Sequence, residues 1–245
     1  MTLFPELVQA FFDHGMIRRA IKQGIISGRT IQIRDFARDR HHTVDDRPYG
    51  GGSGMVMTPE PLAAAISRAK TGSPNAAVVL MTPQGERFDQ QLAMDLARSE
   101  TALIFVCGRY EGIDERVINR LVDREISVGD YVMTGGELAS MVVMDAVSRL
   151  IPGVLGSSDS YASDTFMDDR LEHAQYTRPK TFMGDPVPDV LLSGDHQKIA
   201  QWRARSSLER TFIKRPDLFE KNSPSPREKA ILKQWCRHLE SLIHG

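Results

Sequence analysis

Three glycine-bearing segments carry the residue types that could build a ligand site. They are Thr82-Pro83-Gln84-Gly85, Gly108-Arg109-Tyr110-Glu111-Gly112, and Val128-Gly129-Asp130-Tyr131 continuing to Gly135-Gly136. Glycine lets main-chain N–H and C=O groups approach a ligand closely. The chemistry on offer is therefore recognition by backbone donors and acceptors, assisted by a few carboxylates and arginines. Each segment follows an apolar run: Ala76–Met81, Ala102–Val106 and Ile126–Val128. Short apolar runs bounded by turn residues read as buried strands, and helical patterns between them predict a parallel sheet. Ligands of open α/β sheets sit beyond the carboxyl ends of the strands. The three turns are thus expected to share one pocket. Any single one of them could be only a tight turn, but three together favour the pocket.

Other chemistries lack their signatures. There is no G-x-G-x-x-G after a strand, no G-x-x-x-x-G-K-[ST], no G-x-S-x-G, no H-E-x-x-H and no C-x-x-C. His41-His42 has no partner cluster and reads as a pair of solvated loop histidines. Cys107 and Cys236, the only cysteines, show no metal-ligand spacing, and a reduced, cytoplasmic protein is the simplest expectation. No metal ligand is assigned. No apolar run approaches the ~18 residues needed to cross a membrane, and Met1–Glu6 has no signal-peptide pattern.

The 245 residues can bury a sizeable core, as one large domain or a main domain with a smaller one. An apolar fraction of 41% with 26% charge excludes the disordered and collagen-like classes. Charge is uneven: residues 195–245 hold eleven Lys/Arg against six Asp/Glu, whereas residues 1–194 hold twenty against twenty-six. A basic C-terminal section on a mildly acidic body suggests a polyanion partner, with a solvated helix surface as the equal alternative.

In chain order, Leu7 to Ile21 forms an apolar stripe that predicts one helix ending before Gly24. Thr30–Arg34 alternates and predicts a strand. Residues 34–54 are charged, aromatic and then glycine-rich, and could present Arg, His and flexible backbone to a phosphate or base. Helices are expected near 60–70, 89–98, 114–121 and 137–150. Residues 153–164 have little periodicity and read as a linker or a loop that orders on binding. The remainder is helical, near 195–213 and 226–243.

Several motifs together resemble one family. They include Leu3-Phe4-Pro5-Glu6, Thr43–Gly52, Thr82–Gly85, Gly108–Arg116, Val128–Tyr131, Gly135–Leu138, Ile151–Gly156 and Tyr176-Thr177-Arg178-Pro179. In this order, over nearly the whole chain, they look like the bacterial tRNA (guanine-N1)-methyltransferases of the TrmD family. The resemblance implies an α/β fold of the SPOUT class, with a mostly parallel sheet, a C-terminal trefoil knot and a smaller all-α C-terminal domain. It implies a knotted S-adenosylmethionine-binding domain over 1–155, a flexible linker over 156–168 and a helical tRNA-binding domain over 169–245. The implied partners are tRNA and a second copy of the chain, with neither DNA nor membrane. The methyl acceptor would be N1 of guanosine 37, beside the anticodon.

Residue by residue, the resemblance assigns the cofactor to Thr82, Pro83, Gly108, Arg109, Tyr110, Glu111, Val128, Gly129, Asp130, Tyr131, Val132, Met133, Gly135 and Gly136. It makes Asp45, Arg47, Gly54 and Arg178 substrate contacts. Asp164, in Asp164-Thr165-Phe166, would be the general base, and Arg149 its assistant. That agrees with the chemistry, because guanine N1 is a poor nucleophile until its proton leaves. The negative charge then developing on O6 suits a guanidinium. A dependence on magnesium is also implied, with Glu111 a nearby carboxylate and no ligand assigned. Another knotted RNA methyltransferase and a catalytically silent RNA-binding module are the alternatives. In one respect the chain departs from the family, whose members carry a short apolar strand before Leu-Phe-Pro-Glu. Only Met1 and Thr2 stand there, so either the start is placed too late or the chain lacks its first strand.

Overall fold

The structure, a computed structural model, describes residues 1–155 and 164–244. The chain divides into two compact units, Met1–Ser158 and Asp159–Gly245.

In the first unit a parallel sheet has β3 (Ala77–Arg87) at its centre, with β4 (Leu103–Cys107) on one side and β5 (Arg124–Ser127) on the other. Before the sheet come α1 (Pro5–Phe12), α2 (Gly15–Lys22), the short pair β1 (Asp45–Asp46) and β2 (Val56–Met57), and α3 (Pro59–Lys70). Between and after the strands lie α4 (Gln90–Arg98), α5 (Glu115–Leu121) and α6 (Gly136–Ser148). Strand alternation sends Val78, Leu80 and Val106 into a cluster with Leu62 and Ile66 of α3 and Val117 of α5. Helix α6 packs on the sheet and against α4, so helices cover both faces, as parallel sheets require. Burying each such aliphatic side chain contributes roughly 1.5–3 kcal/mol. Exposed ion pairs contribute about 0–1 kcal/mol, so these two apolar layers hold the unit together.

Three expectations are corrected. The single helix over Leu7–Ile21 is two helices, because Gly15 takes a left-handed φ of +63° and turns the chain between them. The apolar stripe continues across the break since Val8, Phe12 and Ile17 share one cluster. Thr30–Arg34 is not a strand: Gln32 makes one bridge to Thr2, and Ile33–Phe36 then tightens into a 3-10 helix. The Gln32 side chain caps that turn by accepting the Arg34 N–H at 3.4 Å. Third, Thr82–Gly85 does not end a strand but bulges out within β3, whose register to β5 jumps between Met81 and Glu86. A Cβ at Gly85 would collide with the backbone of Glu125 and Ile126, so only glycine lets the bulge rejoin β5.

The second unit holds β6 (Thr181–Phe182), β7 (Asp185–Pro186), α7 (Asp189–Leu192), α8 (His196–Lys214), α9 (Asp217–Lys221) and α10 (Pro226–His244). Its interior contains Leu208, Thr211, Leu218 and the side chain of Arg170. Asp195 starts α8 by accepting the N–H groups of Gln197 and Lys198, each at 3.1 Å. Ser225 and Glu228 start α10 with a reciprocal capping box.

Candidate functional site

Beside the bulge in β3, at the carboxyl ends of β4 and β5, lies a cavity of about 410 Å³. Its walls are the β3 bulge, the loop after β4 and the loop running from β5 into α6. Of the expected cofactor residues, Thr82, Pro83, Gly108 to Glu111, Val128, Gly129, Tyr131 to Met133, Gly135 and Gly136 line it. Asp130 sits on the same loop outside the lining.

Each loop is tied down by main-chain bonds. The Gly136 N–H donates to the Gly108 C=O at 3.0 Å, joining the start of α6 to the end of β4. A Cβ on Gly136 would stand 2.9 Å from the Cys107 Cα and 3.1 Å from the Met81 Cβ, so the approach requires glycine. Gly112 and Glu111 are fixed from outside by β2 and its lead-in: Met57 N–H donates to Gly112 C=O and Glu111 N–H to Met55 C=O, both at 3.0 Å. Asp114 caps α5 and takes two bonds from the Arg116 guanidinium, which hold its carboxyl below the usual carboxylate range. Ser127 and Gly129 exchange bonds at 3.1 and 3.2 Å at the end of β5.

The Arg109 side chain is committed to Glu137 and to the Thr134 C=O at 3.2 Å, so what that residue offers the cavity is its backbone. Glu137, a buried acid that sequence reasoning did not single out, is the partner that fixes this loop. Cys107 directly precedes the loop, but burial pushes its thiol pKa up and leaves it unreactive.

The remaining candidates of the first unit are not among the residues that line the cavity. Asp45 is paired with Met57 in the β1–β2 ladder, and Arg47 is exposed just beyond. Gly54 lies against Glu111, whose side chain a Cβ there would strike. Arg149 follows α6 as its C-terminal cap and is half-buried. In the second unit, Arg178 is exposed. Asp164 opens a short turn in which Met167 N–H donates to its C=O at 3.2 Å and Phe166 N–H to Arg170 C=O at 2.9 Å. The part of the expected linker over 156–163 lies outside the described residues. His41 and His42 are exposed, as solvated loop residues should be.

Arg170, also not singled out from sequence, anchors the segment that carries Asp164. It donates to Glu228 at 2.8 Å and to the C=O groups of Asp169, Leu218 and Asn222, and it stacks on Phe219 at 4.5 Å. Among the described residues no group of three His, Cys, Asp or Glu side chains could hold a metal ion. Among them, too, no helix is long and apolar enough to cross a membrane.

Comparison with known proteins agrees with the family expected from the motifs. The family model described as tRNA (Guanine-1)-methyltransferase TrmD matches residues 1–221. A tRNA (guanine-N(1)-)-methyltransferase of Desulfatibacillum aliphaticivorans is 52% identical over 99% of this chain and 92% of its own length. Its namesake from Geotalea uraniireducens is 54% identical over 97% and 96%. One from Geobacillus kaustophilus is 48% identical over 98% of each chain. The chain belongs to the TrmD family of tRNA (guanine-1)-methyltransferases and has the SPOUT α/β fold class that goes with it.

Proposed function

We propose that this chain methylates N1 of guanosine 37 in tRNA with S-adenosylmethionine as donor. The observation that carries the reading is the three-loop cavity at the strand ends. Its ~410 Å³ falls within the ~300–1,000 Å³ usual for cofactor sites. Its lining fits an adenosine-based group: apolar walls from Leu80, Ile118 and Ile126 for the base, and glycine-rich main chain at Gly108–Gly112 and Gly129–Gly136 for its polar edges. When bound, S-adenosylmethionine supplies a methyl group activated by its sulfonium.

The chain's own residues prepare the acceptor. Asp164 takes the proton from guanine N1, and the freed lone pair forms the new N–C bond as the donor's S–C bond breaks. Arg149 offsets the negative charge that grows on O6. Asp45, Arg47, Gly54 and Arg178 contact the RNA. The family's magnesium dependence is kept in this reading, with no ligand assigned to it.

The helical domain, expected over 169–245, grips tRNA through its excess of Lys and Arg over Asp and Glu. The working form is a cytoplasmic homodimer with the family's trefoil knot. Leu138 and Val142, one turn apart on α6 and about half exposed, give the first unit an apolar face for a second copy.

Transfer of a labelled methyl group to tRNA transcripts bearing guanosine or adenosine at position 37 tests the reading. Label at N1 of guanosine 37 alone is expected. Equal labelling of both transcripts would overturn the assignment.

A further inference from the structure

Three hydroxyl side chains of α8, Ser206, Ser207 and Thr211, bond to a single stretch of chain, residues 171–174. Hydroxyl residues inside a helix compete with its own backbone bonds and are poor choices there. Yet Ser206 and Thr211 are both buried in the middle of α8. The bonds they make to a neighbouring segment account for them.

Leu171 is gripped at both of its main-chain groups. Its N–H donates to Thr211 Oγ1 at 2.9 Å, and its C=O accepts the Ser207 hydroxyl at 2.6 Å. Thr211 spends its own proton on the Ser207 C=O at 2.8 Å, which leaves its lone pairs for Leu171. Further along, Ala174 N–H donates to Ser206 Oγ at 3.1 Å.

The residues on either side of Leu171 hold the turn that carries Asp164. Arg170 C=O accepts the Phe166 N–H at 2.9 Å, and Glu172 N–H donates to Thr165 Oγ1 at 3.1 Å. A line of hydrogen bonds thus runs from α8 through 170–172 to Thr165 and Phe166, the two residues that follow Asp164. The turn is strained. Phe166 takes a left-handed φ of +73° and Asp169 one of +58°, and neither is glycine. Such a backbone persists only where its surroundings over-determine it.

We propose that Ser207 and Thr211 are positioning residues for methyl transfer: by fixing Leu171 they fix the turn, and with it the place of the Asp164 carboxylate. The proposal rests on the reading of Asp164 as the base. Neither hydroxyl has to touch RNA or cofactor, because each acts through the turn. A general base works within about 2.6–3.2 Å of the atom that gives up the proton. A misplacement of about 1 Å can slow a reaction about 10²-fold.

The test is a double-mutant cycle on the full chain, read as single-turnover methyl transfer with saturating tRNA and S-adenosylmethionine. Thr211→Val keeps the shape and removes the hydroxyl, whereas Thr211→Ser keeps the hydroxyl. Thr211→Val is expected to slow transfer at least about tenfold, with dissociation constants for tRNA and S-adenosylmethionine within about twofold of the parent. Thr211→Ser should stay within about threefold of the parent rate, since it can make the same bonds. In an Asp164→Asn background, Thr211→Val should change the rate by less than about twofold, because no base is left to misplace.

A loss of about tenfold in that background too would show that Thr211 acts on something other than the base, and would overturn the proposal. So would a Thr211→Val rate within about threefold of the parent, or a loss confined to tRNA affinity. An Asp164→Asn rate near that of the parent would overturn the base assignment itself, and the proposal with it. Should circular dichroism show Thr211→Val unfolded, Ser207→Ala decides by the same criteria, since it frees the other main-chain group of Leu171.

Discussion

Glu137 grips Arg109 from the first turn of α6: Oε2 accepts from Nε at 3.0 Å and from Nη2 at 2.9 Å, and the acid is 1% exposed. The other oxygen takes the Thr2 hydroxyl at 2.6 Å, while the guanidinium lies over the Phe4 ring at 4.4 Å. One buried carboxylate therefore locks the loop after β4 to both α6 and the chain start. Breaking a buried pair by removing one partner costs far more than the pair itself contributes, because the other charge is stranded.

Glu137→Gln keeps the shape and removes the charge. Hydrogen bonds to a charged group contribute about 1.5–3 kcal/mol, so affinity for S-adenosylmethionine is expected to fall roughly tenfold or more as the loop loosens. Titration calorimetry on the variant and parent checks this. An unchanged dissociation constant would show that the clasp shapes stability and not the cavity.

Arg170 should be as important to the second unit. Arg170→Met leaves Glu228 without its partner and frees the C=O groups of Leu218 and Asn222. A loss of several kcal/mol is expected, within the ~3–5 kcal/mol typical of a broken buried pair. Urea unfolding followed by Trp202 and Trp235 fluorescence reads it, since both tryptophans lie in this unit. A change below about 1 kcal/mol would contradict the anchoring role.

The same pair makes a pH prediction. Burial pushes the Glu228 carboxyl up, but bonds from Ser225 and Arg170 outweigh it and leave its pKa lowered. A lowered folded-state pKa gives stability that is fully present above the unfolded value, about 4.3, and is lost as pH falls through the folded value. Melting temperature should therefore drop more steeply between about pH 5 and pH 3 in the parent than in Glu228→Gln, and the two should converge in acid. Parallel curves would contradict it.

Much of the frame was legible because it depends on local pattern. The apolar runs before each glycine turn announced the strands, and the helices over 59–70, 90–98, 115–121, 196–214 and 226–244 followed from periodicity and caps. Two of the three loops were recognisable as one pocket because parallel strands put their carboxyl ends together, and the third joins them as a bulge in β3. What escaped was set by distant partners. Ile31 and Ile33 alternate like a strand, yet among the described residues the segment's strand pairing is a single bridge to Thr2 before the Gln32 side chain draws it into a 3-10 turn. Thr82–Gly85 carries ordinary turn residues, and only the backbone of β5 makes it a bulge within a longer strand. Glu137 and Arg170 look like surface charges, since their partners lie 28 and 58 residues away.

The two cysteines should differ sharply. Cys107 is buried with its thiol pKa raised, whereas Cys236 is exposed. Since the thiolate is the nucleophile, iodoacetamide near pH 8 should modify Cys236 alone in the folded protein and both after denaturation. Peptide mass mapping reads the outcome. Cys107 reacting at the rate of Cys236 would mean that the end of β4 opens readily.

The central claim is that Asp164 removes the N1 proton, and the single-turnover rate of Asp164→Asn with saturating tRNA and S-adenosylmethionine tests it most directly. An amide of the same size cannot accept that proton at neutral pH, so methyl transfer should fall roughly 10²–10⁴-fold. Donor affinity should hold, because the glycine loops are untouched. A rate within a few-fold of the parent would remove Asp164 from the chemistry.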